Sequence, residues 1–151
     1  MTEIERIEDQ LKRAFEGEAW HGPSVQEVLA GVTAEQAARK PLAHAHTIWE
    51  IVLHLAAWDA VVRRRLEGER LDEPDEGDWP SIEDTSAPAW ADTLDRLKNN
   101  HTQLRHSLSR LDDSLLDQPV GSGKSSAYAT IQGSIQHYLY HAGQIALLKK
   151  A

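Results

Sequence analysis

Apolar residues recur along this chain at three- and four-residue steps, the spacing of one helix face. Ile4, Ile7, Leu11, Ala14 and Phe15 form the first such stripe. Thr2-x-x-Glu5 in front of it is a capping box, so a helix is predicted from there to about Gly17. Ser24-x-x-Glu27 and Thr33-x-x-Gln36 repeat the cap signal ahead of two short helical turns, and Pro41 closes that linker. A second long helix opens at the box Thr47-x-x-Glu50 and runs to about Glu67. It is apolar around much of its circumference, so two neighbouring surfaces must cover it, a bundle core and a partner subunit. The third helix carries the most regular seam, Trp90, Leu94, Leu97, His101, Leu104, Leu108 and Leu111, with Pro88 in its first turn. The fourth runs from roughly Ala129 to Lys150 on Ile131, Ile135, Leu139, Ala142, Ile145 and Leu148, and its terminal lysines suit the helix dipole. No segment reads as a strand.

Four long helices and two connections of roughly 20 to 25 residues predict an all-α fold, a four-helix bundle with long crossover connections in one domain, 1–151. Residues 67 to 81, EGERLDEPDEGDWPS, hold seven carboxylates, two glycines and two prolines and read as a solvated loop. They lack the ligand spacing of a calcium loop. The stretch VGSGKSS, residues 120 to 126, imitates the end of a phosphate-binding loop, but Gln118 stands where that motif needs glycine and no strand precedes it. It reads as a turn into the fourth helix.

Composition narrows the function classes. The net charge of −8 supplies no basic face for a phosphate backbone, so nucleic acid is not expected as a partner. The absence of cysteine excludes disulfides, thiolate zinc sites and a cysteine nucleophile, and it is compatible with a reducing cytosol. The longest apolar stretch, 48–62, is interrupted by Glu50, His54 and Asp59 and is too short to span a bilayer. A cytoplasmic protein without membrane association is expected.

The candidate chemistry lies in QHYLYHAGQIALLKK, residues 136 to 150. His137 and His141 stand one turn apart on one face, about 6 Å from each other. One divalent ion can bridge such a gap, since metal–nitrogen bonds are about 2.1 Å. The plain alternative is two histidines bonded to solvent or to a neighbouring helix. Their surroundings, Tyr138, Leu139, Ala142 and Ile145, are those of an inward-facing helix, and the second helix offers a third imidazole, His54, inside EIVLHLAAWD. An unpaired buried imidazole costs on the order of 1–3 kcal/mol, so three at matching depth call for a shared purpose.

HTIWEIVLHLAAWD followed about 80 residues later by HYLYHAGQIALLKK resembles the DinB family of metalloenzymes, the DinB/YfiT-like superfamily. The likeness covers nearly the whole chain, through W-x-x-x-x-H-L in the second helix and H-x-x-x-H-x-G-Q-I in the fourth. It implies an up-down-down-up bundle, usually a homodimer, with a divalent ion held by three histidines. At the matching positions these are His54, His137 and His141. The ion is commonly nickel or zinc, with iron and manganese as the other candidates. Some relatives are thiol-dependent transferases or isomerases that use low-molecular-weight thiols such as mycothiol and bacillithiol.

Other residues have simpler readings. Glu50 is explained by the Thr47 capping box, which leaves His46 just before the helix, so neither is expected to ligate. His101, in a leucine slot, reads as a hydrogen-bonded core histidine, with a pocket residue near the metal as the alternative. Gln144 suits support of His141 or a dimer contact. Trp49 and Trp58 read as packing aromatics, and His21, His44 and His106 as surface or loop residues. Three neutral nitrogen ligands leave a tetrahedral ion one open position, which supports hydrolysis or group transfer. The expected function is therefore a metal-dependent thiol S-transferase or hydrolase acting on a small molecule. The alternative is a non-catalytic, stress-related protein whose metal fastens two helices. Catalytic residues are not identifiable, for the sequence offers no evident general base. Metal affinity is expected to fall as pH drops through and below about 6.5, because ligand imidazoles must be neutral.

Overall fold

A computed structural model describes residues 1–151 and is mostly helical. Helix α1 (Glu3–Glu16) starts at a complete capping box, with Thr2 and Glu5 satisfying each other's backbone N–H groups. Such a cap contributes about 1 kcal/mol. Two one-turn helices follow, α2 (Val25–Leu29) and α3 (Ala34–Ala38). Ser24 forms a second complete box, whereas at Thr33 only the threonine hydroxyl caps and Gln36 does not reach back. Helix α4 (Ile48–Leu66) opens on the third box, Thr47 with Glu50. Helix α5 (Ala87–Ser109) carries Pro88 in its first turn, where the missing N–H has no partner to lose. Helix α6 (Ala127–Leu148) begins two residues earlier than the sequence pattern suggests, because Ser126 caps it by accepting from the Ala129 N–H.

The long helices form a ring in which α4 touches α5 and α6, and α1 touches α5 and α6. Side-chain pairs give their relative directions. Trp49 donates to Thr93, Asn100 to the Ala56 carbonyl and Ser107 to Glu67, so α4 and α5 advance together. Phe15 stacks on His101 while the backbone of Glu3 is held by Asp113, so α1 opposes the direction of α5. Helix α4 also opposes α6, because His54 meets His137 and His141 while Arg65 lies against Gly121, ahead of α6.

Three differences from the sequence pattern have physical causes. Helix α4 is enclosed by α3, α5 and α6 of its own chain, so its all-round apolarity is accounted for without a second subunit. In α5 the core position is Thr93, which receives the Trp49 indole N–H at 3.1 Å, and Leu94 is only half-buried. Although no strand was expected, VGSGKSS closes a small antiparallel hairpin, β1 (Pro119–Val120) with β2 (Ser125–Ser126). Its turn needs glycine: Gly121 sits at φ +60°, and a Cβ there would meet the Arg65 side chain at 3.0 Å. No helix is long and apolar enough to cross a membrane.

Candidate metal centre

The site is built where α4 crosses α6. Helical spacing sets Thr130, Ser134, His137 and His141 on one stripe of α6, and His54, Trp58 and Asp59 along the facing stripe of α4. His54 and His141 are buried and His137 is half-buried. The three rings form a nearly equilateral triangle, with centroids 4.6 to 4.9 Å apart and planes inclined by 70 to 79°. One nitrogen from each lies within 4.8 Å of the others. An ion with bonds of about 2.1 Å spans nitrogens up to about 4.2 Å apart, so the triangle is close to a ligand set and needs at most a small ring rotation.

Hydrogen bonds fix which nitrogens are free. His54 Nδ1 lies 2.7 Å from the Asp78 carbonyl oxygen, which only accepts, so Nδ1 carries the proton and Nε2 keeps its lone pair. His141 Nδ1 donates to Gln144 Oε1 at 2.6 Å, with the same consequence. Both partners act as orienting groups do behind metal-bound imidazoles. His54 Nε2 then stands 2.8 Å from His137 Nε2. Two ring nitrogens at that distance repel unless a proton or a cation is shared between them. Burial, with the neighbouring His141 and His54 adding to it, pushes the His137 pKa down to about 3. Burial also lowers that of His141, against the opposing pull of Gln144. Both rings are therefore neutral near pH 7, the form that binds a metal.

The acidic connection does more than link α4 to α5. Asp78 supplies the carbonyl behind His54, and its carboxylate accepts from Trp58 Nε1 at 2.7 Å. Trp79 is sandwiched between His54, at 4.0 Å between centroids, and His46, at 3.4 Å. The expectation of a solvated loop thus holds for its carboxylates, Asp78 included, but not for the half-buried Trp79 or the buried Pro74 and Pro80. A large indole inside an otherwise polar stretch was the available signal.

Two cavities meet at the imidazoles. The polar one, about 430 Å³, is lined by His54, His137, Asp59, Trp58, Arg65 and Asp78, with hydroxyls from α6. The apolar one, about 450 Å³, reaches His141 from the side of Leu42, Trp79, Tyr140 and Leu147. Trp49 packs in the core, whereas Trp58 forms cavity wall. Glu50 caps α4 and His46 lies 3.5 Å from it, outside the triangle. His21, His44 and His106 are exposed. His101 is a buried core residue whose Nδ1 is 2.9 Å from the Tyr138 hydroxyl. That hydroxyl lies 2.7 Å from Asp59, a fully buried carboxyl whose pKa burial raises to about 8. Asp59 was missed from sequence because only its burial distinguishes it from a surface aspartate.

A largely helical fold and a triangle of imidazoles beside a polar cavity define a class, helical proteins with a histidine cluster able to hold a metal ion. Within that class, residues 19–145 match the family model of the DinB superfamily, and the chain belongs to that superfamily. The match contains all three histidines. No curated protein and no solved structure gives a match.

Proposed function

We propose that the protein is a divalent-metal-dependent enzyme in which His54, His137 and His141 hold the ion, and that it acts as a thiol-dependent S-transferase or hydrolase on a small molecule. The observation that carries this reading is the convergence of three imidazoles with ring nitrogens within 4.8 Å of one another, those of His54 and His137 standing 2.8 Å apart at the wall of a polar cavity. An ion bound there supplies Lewis acidity, lowering the pKa of a water or thiol in its open position. The protein's own part is orientation and shelter. Asp78 and Gln144 aim the imidazoles, Trp79 covers His54, and Arg65 places a cation on the cavity wall for an anionic group of the substrate or a low-molecular-weight thiol.

Nickel or zinc suits an all-imidazole set, with iron or manganese as the further candidates. The directions of the helix pairs support the up-down-down-up order of the family. Tyr140 and Leu147, exposed on one stripe of α6, support a homodimer contact. The acidic charge and the lack of cysteine support a cytoplasmic setting without nucleic-acid partners.

The test is elemental analysis of protein purified without a polyhistidine tag, followed by turnover of electrophile-and-thiol panels. One ion per chain, lost in His54→Ala together with turnover, is the expected result; equal rates in both proteins would remove the metal from the mechanism. A second reading, an ion that merely fastens α4 to α6, draws on the fact that the triangle bridges those two helices. It predicts a fourth protein ligand and no exchangeable water at the ion.

A further inference from the structure

Behind the imidazoles a chain of buried polar groups runs through the bundle. Asp59 Oδ2 is 2.7 Å from the Tyr138 hydroxyl, and that hydroxyl is 2.9 Å from His101 Nδ1. His101 Nε2 has no hydrogen-bond partner, although it is buried. It faces Glu16 Oε1 at 3.6 Å, and Arg105 holds that same oxygen. At the other end, Asp59 Oδ1 takes no hydrogen bond from the protein, and Asp59 lines the polar cavity with His137, Asp78 and Arg65. One end of the chain is therefore at the candidate reaction site on α4 and α6, and the other at the partly exposed Glu16 on α1.

We propose that Asp59 is the acid–base residue of the cavity and that Tyr138 and His101 carry its proton to and from the Glu16 side of the bundle. This rests on the reading of the cavity as the reaction site, and the reacting molecule is a small one whose breaking bond leaves an anionic oxygen, nitrogen or sulfur. Neutral Asp59 holds its proton on Oδ2 against the Tyr138 oxygen. A turn of the carboxyl presents that proton to the atom as the atom takes the bonding electrons, and Asp59 becomes a carboxylate. The carboxylate is stabilised by the Tyr138 O–H, whose oxygen accepts from His101 Nδ1–H. A proton entering at Nε2 restores Asp59: the Nδ1 proton moves to the Tyr138 oxygen, and the Tyr138 proton moves to Oδ2. One proton enters and one leaves. Tyr138 is a phenol and His101 a neutral imidazole before and after, consistent with the positive neighbour Arg105 and with the burial that lowers the His101 pKa to about 3.

The two ends are thereby coupled. A carboxylate at Asp59 requires Tyr138 to donate to it, which fixes the Nδ1–H tautomer of His101. Neutral Asp59 donates to Tyr138 instead, and the Nε2–H tautomer then faces the Glu16 carboxylate. Nitrogen NMR of labelled histidine in the zinc-loaded protein reads this directly. As pH rises through about 8, where Asp59 ionises, His101 should switch from Nε2–H to Nδ1–H. The switch should vanish in Asp59→Asn and in Tyr138→Phe. A single His101 tautomer across that range in the wild type, which needs no variant to fold, overturns the relay, as does a switch that survives in Asp59→Asn. Zinc content measured on the same samples separates the two readings. Full zinc without a switch sinks the relay alone, and a switch without zinc sinks the metal assignment while supporting the relay.

Discussion

At Asp59 a carboxyl has been placed where no cation meets it, and desolvation outweighs the single hydrogen bond from Tyr138. The direction of the consequence follows from linkage. A folded-state pKa raised from 3.8 to about 8 contributes stability that is complete below about pH 4 and is lost as pH climbs through about 8. Asp59→Asn keeps the shape and removes the titration, so its melting temperature should fall less than the wild type's over that interval; parallel curves would mean the carboxyl is solvated. His101 acts in the opposite sense, since a pKa depressed to about 3 gives stability that is lost as pH falls from about 6.5 towards 3. Gln144 holds His141 through a 2.6 Å bond. Gln144→Ala should weaken metal affinity by about 10- to 100-fold, as loss of an orienting partner typically does, with a fold unchanged by circular dichroism. Calorimetric titration with zinc measures it.

The elements that matter most at the site are α4, α6 and the connection before α5. The N-terminus of α4 is fixed by reciprocal bonds, Glu50 N–H to Thr47 at 3.1 Å and Thr47 N–H to Glu50 at 2.6 Å. Thr47→Ala should cost about 1 kcal/mol, a few degrees in melting temperature for a chain of this size, and Thr47→Ser should recover most of it. This cap was plain in the sequence, as were the complete boxes at Thr2 and Ser24, because a capping box needs only residues three apart. The hairpin before α6 was not visible. Its two-residue strands bury almost nothing and depend on the approach of Gly121 to Arg65, a contact set by tertiary packing.

For the molecule as a whole, the imidazole triangle ties α4 to α6 across 83 residues of chain. Any ligand that binds only the folded form stabilises it, by about 4 kcal/mol when present at 1,000 times its dissociation constant. Adding zinc should therefore raise the melting temperature by several degrees and chelation should reverse the gain. In His137→Ala the melting temperature should not respond to zinc. An identical shift in that variant would place the ion elsewhere on this acidic surface.

The sequence by itself determined the helices, their caps, their apolar faces and the three imidazoles, since each rests on spacing within one turn or on motifs inside single helices. Tertiary structure alone decided what surrounds those imidazoles. Asp78, Trp79, Asp59 and Tyr138 gain their roles from neighbours 20 to 79 residues away, as in the bonds of Trp58 and His54 to Asp78 and of Tyr138 to Asp59. Burial is what changes their chemistry. An aspartate in water and an aspartate buried against a phenol are the same letter, one ionised and the other neutral near pH 7.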